Sequence, residues 1–468
     1  MLDFENYVSP FSWRYSSPEM RHIWSEKNKR RLWRKIWVAL AQVQSEFGLI
    51  NPDQLEDLQN NAEKVDIERA LQIESEIHHD LMAELKTYAE QCQLGGGIIH
   101  LGATSMDIED NADVIRLRQS LDIVLKKLGT LLSIFADRIS EWADVPIIAF
   151  THLQPAEPST LGYRMAFYAQ DLLADFQLLD ILREQLKGKG FKGSVGTGAA
   201  YIELVGLDHM DRFEDRLSQE IDLPFFAVTT QTYPRKQDYQ IISSLAGLGA
   251  SLYKFAFDLR LLQSPPVGET SEPFGEKQIG SSAMPFKRNP ILAEKIDSLS
   301  RALAQMPQLA WQNAAHSLLE RTLDDSANRR TMLPEAFMIC DEILQTSIKL
   351  LGGLQINHSN IERNLAIYAP FASTERLLMA LVRAGANRQE MHERLRQYAL
   401  IAWETIHRGE INPIINFVLD DSIFNKYLSK DQINYFFKID GYIGIAPVRA
   451  RKMAEIIQLD LKKAAERQ

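Results

Sequence analysis

Residues 114–135 read V-I-R-L-R-Q-S-L-D-I-V-L-K-K-L-G-T-L-L-S-I-F, and their apolar positions follow a seven-residue period. This pattern consists of two interleaved sets. One set is Val114, Leu121, Leu128 and Phe135, and the other is Leu117, Val124 and Leu131. An apolar stripe with this spacing, sustained over several turns, is typical of long helices that pack nearly parallel in a bundle. The stripe is therefore predicted to be helix core and not part of a cofactor site.

Three further stretches have a helical apolar pattern. Residues 241–262 repeat the two interleaved sets, and helices are also predicted from about residue 159 to 187 and from about 327 to 351. No alternation of strand and helix patterns is visible, so the predicted fold is all-α with a central bundle of long helices. After Leu354 the helical pieces become shorter and residues 412–424 look like a loop, which predicts a smaller C-terminal domain.

Composition and charge restrict the class of protein. The chain has 468 residues, of which 45% are hydrophobic and 24% charged, as in a soluble protein of several domains. The net charge of −10 argues against a general nucleic-acid binder. Cys92 and Cys340 are far apart, so neither a zinc ribbon nor a disulfide framework is indicated. Without a long apolar run or a secretory leader, we expect a cytoplasmic protein that binds neither nucleic acid nor membrane.

The segment Ile279–Pro290 reads I-G-S-S-A-M-P-F-K-R-N-P and combines helix breakers with hydroxyl, cationic and amide side chains. A buried strand or helix would not tolerate this mixture. We interpret the segment as a mobile loop that closes over a substrate and excludes water. The alternative is a solvated linker rich in turn residues.

Two other loops are predicted at the ends of long helices. The first is G-A-T-S-M-D at 102–107, where Thr104 or Ser105 either caps a helix or presents backbone amides to an anion. The second is F-T-H-L-Q-P-A-E-P at 150–158. Residues 188–193 match G-x-G-x-x-G but follow a helix and not a strand, so a dinucleotide site is rejected. His78 and His79 lack a further ligand at metal-binding spacing, and no metal is expected there.

The three loops together resemble the conserved regions of the fumarase/aspartase superfamily, and within it the adenylosuccinate lyase family. Further matching segments extend the resemblance over almost the whole chain: S-W-R-Y-S-S-P-E-M at 12–20, H-D-L-M-A at 79–83, Q-T-Y-P-R-K at 231–236 and E-R-T-L-D-D-S-A-N-R-R at 320–330. The resemblance implies a three-domain, all-α homotetramer whose active sites are shared between subunits. It also implies a reaction without metal or organic cofactor. The expected domains are residues 1–104, 105–356 and 357–468.

The resemblance also implies catalytic roles. The family removes fumarate from a succinyl-amino group by β-elimination. Ser281 is expected to be the general base, with Ser282 as the competing assignment, and Lys287 would help to stabilise the serine alkoxide. His152 is expected to be the general acid that protonates the departing nitrogen. His79 is expected near substrate, with Asp80 as its partner.

Binding roles follow from the same resemblance. Thr104, Ser105, Lys287 and Asn289 are expected to hold the fumaryl carboxylates, and Gln231 to orient the substrate. The residues expected around the nucleotide phosphate and ribose are Arg14, Tyr15, Arg321, Ser326 and Arg330, because arginine recognises phosphate with two parallel hydrogen bonds. The resemblance also assigns Asp80, Thr151, Ser282 and Met284 to the substrate site.

Some positions depart from the family pattern or favour a structural interpretation. Arg329 is expected to lie on a solvated helix face. Lys295 stands where some relatives have arginine, which places its substrate contact in doubt, and Gly198 replaces a side-chain amide near Thr197.

Two alternatives to a nucleotide lyase stay open. A sister lyase would act on argininosuccinate, aspartate or malate, but these substrates lack the phosphate that the arginines would bind. A non-catalytic helical scaffold would be expected to have lost Ser281, His152 or Lys287, and the chain has all three.

Overall fold

The computed structural model describes residues 4–438 and 441–467, and most of them are helical. The helices are α1 (Pro18–Ile23), α2 (Glu26–Glu46), α3 (Pro52–Asn61), α4 (Ile67–Ile77), α5 (Asp80–Gln91), α6 (Ser105–Glu141), α7 (Leu161–Glu184), α8 (Ala199–Val205), α9 (Met210–Glu220), α10 (Lys236–Gln263), α11 (Ile291–Leu303), α12 (Met306–Ala315), α13 (Asp324–Gly352), α14 (His358–Arg383), α15 (Arg388–His407), α16 (Ile414–Asp420), α17 (Lys430–Phe436) and α18 (Ala446–Arg467). The strands are β1 (Pro146–Thr151), β2 (Gln154–Thr160), β3 (Thr270–Ser271) and β4 (Gln355–Ile356).

The long helices confirm the all-α prediction. Helices α6, α10 and α13 contain 37, 28 and 29 residues. Every residue of the heptad stripe in 114–135 is fully buried, which confirms its assignment to the core. Phe135 of α6 packs against Phe255 of α10 with ring centroids 5.1 Å apart, and Tyr168 of α7 lies 5.5 Å from the same ring. These contacts bring three of the predicted long helices together.

The described chain divides into two compact units. The first unit takes the residues up to Leu128, Asp175–Ala250 and Ser298–Gln345. The second takes Gly129–Ala174, Ser251–Asp297 and the residues from Thr346 onward. The division into domains at residues 104 and 356 stays a prediction.

A buried cluster in the first unit holds the chain directly before the predicted loop at 102–107. Arg34 of α2 donates to the carboxylate of Glu84 of α5 at 2.6 Å, and both side chains are fully buried. Trp37 of α2 donates its indole N–H to His100 Nδ1 at 3.0 Å, and Gln44 donates to the carbonyl of Leu101 at 2.8 Å. Helix α2 thus holds the chain directly before the start of α6.

The segment 150–158 is not the predicted loop, because most of it lies in an antiparallel hairpin. Phe150 pairs with Pro155 and Thr151 with Gln154, so His152 and Leu153 form the turn. Both turn residues have positive φ, 52° and 59°. A two-residue hairpin turn with positive φ at both positions matches the right-handed twist of the strands but usually contains glycine or asparagine, so His152 and Leu153 adopt this backbone at a conformational cost.

The C-terminal region differs from the prediction in two ways. Helices α14 and α15 have 26 and 20 residues, so this region is not built from short pieces alone. Helix α16 occupies Ile414–Asp420, inside the stretch predicted to be a loop. Helix α14 is also the one helix in the described residues with the length and hydropathy of a membrane span. However, its Leu377 and Leu381 are fully buried in the core of the C-terminal region, as in the core helix of a globular domain.

Candidate active site

One cavity of the first unit gathers three of the predicted nucleotide-binding residues and Asp80, another predicted residue of the substrate site. Asp80, Arg321, Ser326 and Arg330 line it, together with residues of α2 and α6, and its volume is about 190 Å³. These four residues come from positions 80 and 321–330, at the starts of α5 and α13. The structure therefore brings together residues that are far apart in sequence.

Arg330 and Asp80 form an ion pair across this cavity. The guanidinium of Arg330 lies 2.8 Å from the carboxylate of Asp80, and 58% of the Arg330 side chain is exposed. Burial raises the pKa of Asp80, but the charges of Arg330 and Lys29 and the amide of Leu81 outweigh it and lower the pKa overall. Asp80 is therefore ionised at neutral pH and holds Arg330 at the cavity wall.

Arg329 was expected on a solvated helix face, and that expectation is wrong. Its side chain is only 8% exposed and donates to Asp238 at 2.8 Å and to the hydroxyl of Tyr233 at 2.8 Å. Successive residues of a helix point about 100° apart, so Arg329 lies in the buried wall of the cavity while Arg330 is exposed at its surface.

A second buried arginine connects this interior network to Arg321. Arg235 lies 3.0 Å from Asp110 and 2.7 Å from Asp325. Asp325 also accepts from Arg321 at 2.8 Å, so one carboxylate holds a buried and a cavity-facing arginine. The network fixes the start of α13, which carries Arg321, Ser326 and Arg330 towards the cavity.

His79 and Ser105 lie at the starts of α5 and α6. His79 Nε2 is 3.5 Å from Ser105 Oγ, and His79 Nδ1 accepts from the amide of Met82 at 3.4 Å. With Nδ1 as acceptor, a neutral ring carries its proton on Nε2, the atom nearest Ser105. Asp80 was expected to be the partner of His79, but its carboxylate is 3.9 Å from Nδ1 and pairs more closely with Arg330.

The start of α6 is held by Asp107. The carboxylate of Asp107 accepts from the amides of Thr104 at 3.0 Å and Gly193 at 3.2 Å and from Lys189 Nζ. Lys189 and Gly193 belong to the G-x-G-x-x-G segment, whose Gly190 has a φ of 78°. This glycine-rich segment thus wraps around a carboxylate of the protein itself and positions Thr104 and Ser105.

His152 lies in the second unit, exposed at the tip of the hairpin, and Thr151 beside it is also exposed. A left-handed backbone is unfavourable for a non-glycine residue, and Leu153, the other residue of the turn, is 71% exposed. Backbone strain of this kind concentrates at functional sites. The two-residue turn between β1 and β2 thus holds His152 and Leu153 in a strained conformation at an exposed tip.

The predicted signature loop is irregular from Glu272 to Pro290 and largely exposed. Ser281 Oγ accepts from the amides of Ala283 at 3.3 Å and Met284 at 3.0 Å. Asn289 donates to the carbonyl of Gly280 at 3.1 Å, which closes the two ends of the loop on each other. Lys287 is exposed and donates its amide to the carbonyl of Met284 at 3.0 Å.

The remaining predicted residues lie outside the cavity lining. Arg14 stacks over the rings of Trp13 and Tyr15, with 5.7 Å and 6.0 Å between its guanidinium carbon and the ring centroids. Gln231 is held by its backbone amide, which donates to the carbonyl of Glu320 at 3.2 Å. Among the described residues, no group of three or more His, Cys, Asp or Glu side chains has the arrangement of a metal site.

The two departures from the family pattern lie in defined places. Gly198 has a φ of 67° and precedes α8, so glycine suits this position better than the expected amide residue. Lys295 lies in α11, directly after the signature loop.

Glu109 also lines the cavity, and sequence reasoning missed it. Burial raises the pKa of its carboxyl, and the neighbouring carboxylates of Asp80, Asp113 and Asp110 raise it further, to about 8. Its spacing in the sequence could have indicated that it belongs to the site. Glu109 follows Ser105 by one helical turn and precedes Asp113 by another, on one face of α6.

Comparison with known proteins identifies the family. A lyase family model matches residues 11–303, and a model described as the adenylosuccinate lyase C-terminus matches residues 370–453. Adenylosuccinate lyase of Saccharomyces cerevisiae is 36% identical over 474 residues, which cover 100% of this chain and 97% of that protein. The chain belongs to the adenylosuccinate lyase family.

Other adenylosuccinate lyases are similar to this chain over nearly the same length. The adenylosuccinate lyase of Schistosoma mansoni is 40% identical and covers 91% of this chain and 89% of that protein. The adenylosuccinate lyase of Archaeoglobus fulgidus is 33% identical and covers 97% and 100%. This member of the adenylosuccinate lyase family is therefore an enzyme of the lyase class.

Solved structures match the fold of this adenylosuccinate lyase family member. A 3-carboxy-cis,cis-muconate lactonizing enzyme from Pseudomonas putida has a TM-score of 0.83 and 22% identity, and covers 96% of this chain and 99% of that chain. A fumarate lyase from Mesorhizobium sp. BNC1 has a TM-score of 0.83 and 21% identity, with the same coverage of 96% and 99%. At this identity the likeness concerns the fold alone.

Proposed function

We propose that this enzyme removes fumarate from adenylosuccinate to give AMP, and from succinylaminoimidazole-carboxamide ribotide in purine biosynthesis. The observation that carries the proposal is full-length similarity to adenylosuccinate lyases, joined with a cavity that presents Arg321 and Arg330. In the reaction a base removes a proton from the carbon beside one carboxylate. The carbon–nitrogen bond then breaks, the carbon–carbon double bond of fumarate forms, and the nitrogen takes up a proton.

Ser281 is the proposed base. Its oxygen already receives two backbone N–H donors, at 3.3 Å and 3.0 Å, which favour a developing alkoxide. A serine hydroxyl is too weak an acid to ionise unaided, so Lys287 and a closed, dry loop would supply the remaining stabilisation. These two donors favour Ser281 over Ser282 as the base.

His152 is the proposed acid. An imidazole delivers a proton near neutral pH, and the exposed hairpin tip presents the ring to a ligand. His79 Nε2, near Ser105, would donate to a substrate carboxylate, as would Thr104, Lys287 and Asn289. Arg321, Ser326 and Arg330 would bind the phosphate, and Arg14, Tyr15, Thr151, Gln231 and Met284 would complete the substrate site.

The test follows the ultraviolet absorbance of purified protein mixed with adenylosuccinate. Turnover by the wild type supports the substrate assignment. Ser281→Ala should lower kcat by ~10²–10⁴-fold, the usual contribution of acid–base catalysis. Ser282→Ala is the matched control and should retain most of the activity; the reverse result would make Ser282 the base. His152→Gln should also lower kcat, and an unchanged rate would remove His152 as the acid.

A sister lyase is the second candidate. Argininosuccinate, aspartate and malate carry no phosphate, so the arginines of the cavity favour a nucleotide instead. The same assay with those three compounds separates the candidates. Turnover of one of them, without turnover of adenylosuccinate, would overturn the proposal.

We also propose a cytoplasmic homotetramer that acts without metal or cofactor and binds neither membrane nor nucleic acid. Phe167 of α7 and Phe257 of α10 are each 51% exposed in the single chain, and apolar side chains on long helices are typical of subunit contacts. Light scattering after gel filtration gives the mass, and a monomer of 53.4 kDa would contradict the proposal.

A further inference from the structure

Glu109 lines the cavity that contains Arg321 and Arg330, here called the nucleotide cavity. It differs from the other acids of this cavity, because those acids form ion pairs. Glu26 lies 2.8 Å from Lys29, Asp80 lies 2.8 Å from Arg330, and Asp110 lies 3.0 Å from Arg235. Asp113 pairs with Arg116 and Arg329. In the described parts of the chain, no ion pair involves Glu109.

The surroundings of Glu109 are strongly charged. On α5 and α6 its neighbours at the cavity are Asp80, Asp110, Asp113 and Arg116. On α2 and α13 they are Glu26, Lys29, Arg329 and Arg330, and Arg235 and Arg321 complete the charged lining. The lining contains neither histidine nor cysteine. Burial also raises the pKa of Asp110, but the charges of Arg235 and Arg329 oppose that rise, so Glu109 is the group expected to titrate between pH 7 and 9.

Two protonation states of Glu109 would have opposite effects on a bound phosphate. An ionised carboxylate beside a phosphate dianion repels it. A neutral carboxyl group has one O–H donor and can bond to a phosphate oxygen. Burial and three nearby carboxylates outweigh the opposing charge of Lys29 and raise the pKa of Glu109 to about 8, so they favour the neutral form up to about that pH.

We propose that Glu109 is a binding residue for the nucleotide phosphate and that it acts as a neutral acid, donating its proton to a phosphate oxygen. The proposal rests on the proposed function, which places a phosphate at Arg321 and Arg330. Neutral Glu109 adds a hydrogen-bond donor beside the arginines without adding a charge, and its ionisation makes phosphate binding depend on pH.

The sign of the pH effect follows from linkage. Below the pKa of Glu109 the free enzyme already carries the proton, so phosphate binding is independent of this group. Above it, binding takes up one proton, and affinity falls by about tenfold per pH unit. The KM for adenylosuccinate should therefore rise between pH 8 and 9 while kcat changes less.

The experiment measures AMP binding to the full-length protein at pH 8.5 by calorimetry in buffers of different ionisation enthalpy. The wild type should take up about three quarters of a proton per AMP bound, because about that fraction of Glu109 is ionised in the free protein at this pH. Glu109→Gln, which stays neutral at every pH, should take up close to none and should hold AMP at pH 9 more tightly than the wild type does. Adenosine, which lacks the phosphate, should show no proton uptake with either protein.

Control variants separate the outcomes. Glu26→Gln alters an ion-paired acid of the same cavity and should keep the proton uptake. Glu109→Ala should abolish the uptake and also weaken AMP binding at pH 7 by about two- to tenfold, the value of one hydrogen bond. If Glu109→Gln does not fold, Glu109→Ala decides alone.

Proton uptake that persists in the folded Glu109 variants would overturn the proposal while leaving the proposed function intact. Absence of AMP binding and of adenylosuccinate turnover in the wild type would overturn both.

Discussion

Arg329 and Arg330 are adjacent in sequence but have opposite environments. The side chain of Arg329 is 8% exposed and is held by Asp238 and Asp113, whereas that of Arg330 is 58% exposed at the cavity. Sequence reasoning assigned the solvated position to Arg329. The acids that keep Arg329 buried are distant from it in sequence, and Asp238 is separated from it by 91 positions. No local pattern in the sequence predicts these partners.

Replacing the two arginines should therefore affect different properties. Arg329→Met leaves the carboxylate of Asp238 buried without its cation and should lower the free energy of unfolding by about 3–5 kcal/mol. Arg330→Met removes a half-exposed cation and leaves Asp80 the nearby charge of Lys29, so it should lower the free energy of unfolding by less than Arg329→Met does, but it should raise the KM for adenylosuccinate. Urea unfolding and steady-state kinetics measure both effects. Equal destabilisation by the two variants would contradict the assignment.

At the scale of secondary-structure elements, the hairpin β1–β2 shows why the candidate site was only partly predictable. The motif T-H-L-Q-P-A marked His152 as a candidate, but the segment 150–158 contains two prolines and no glycine or asparagine, so its local preferences do not predict a hairpin. The pairing of β1 with β2 and the packing of α14 on the hairpin override these local preferences. Glu109 was missed for a related reason, since its unusual environment comes from Asp80 on another helix.

The strain at the hairpin tip predicts a stabilising substitution. Leu153 has a φ of 59° and is 71% exposed, so Leu153→Gly removes an unfavourable backbone conformation and loses little packing. The free energy of unfolding should rise by up to about 1 kcal/mol. Leu207 is equally exposed at 71% and is not among the residues with positive φ, so Leu207→Gly should lower stability. Destabilisation by Leu153→Gly would show that the tip is not strained.

The glycine-rich loop at 188–193 predicts a strong coupling between two buried charges. Asp107 and Lys189 are both fully buried and form an ion pair. Asp107→Asn leaves Lys189 without its counter-ion and should cost about 3–5 kcal/mol of unfolding free energy. Lys189→Met in the same chain should recover part of that loss. Additive effects in the double variant would mean that the pair does not hold the start of α6.

At the scale of the whole molecule, the apolar period predicted the long helices and the all-α class well. The heptads that run through 114–135 and 241–262 are properties of single helices, and the residues they mark are buried as expected. The C-terminal region was predicted less well, since α14 and α15 carry no comparably regular stripe although Leu377, Leu381 and Leu395 pack into one core. The packing of one helix against another depends on residues of both helices, and an apolar period within one helix does not identify its partner.

The proposed tetramer with shared active sites predicts that inactive variants restore each other. The binding residues Arg321 and Arg330 belong to the first compact unit, and Ser281 and His152 belong to the second. If different subunits supply these groups to one substrate, a tetramer that mixes Ser281→Ala with Arg330→Met subunits contains some sites without either substitution. At a substrate concentration far below the KM of Arg330→Met, where each variant alone has little activity, co-refolding the two should then recover up to about a quarter of the wild-type level per site, by random assortment.

The matched control is a mixture of Ser281→Ala with His152→Gln, both on the second unit but in different segments. Recovery in this mixture as well would mean that the hairpin tip and the signature loop also come from different subunits. No recovery in either mixture, with tetramers present by light scattering, would mean that one chain supplies every group to its own site. The ratio of the two recoveries therefore assigns the hairpin tip and the signature loop each to a subunit.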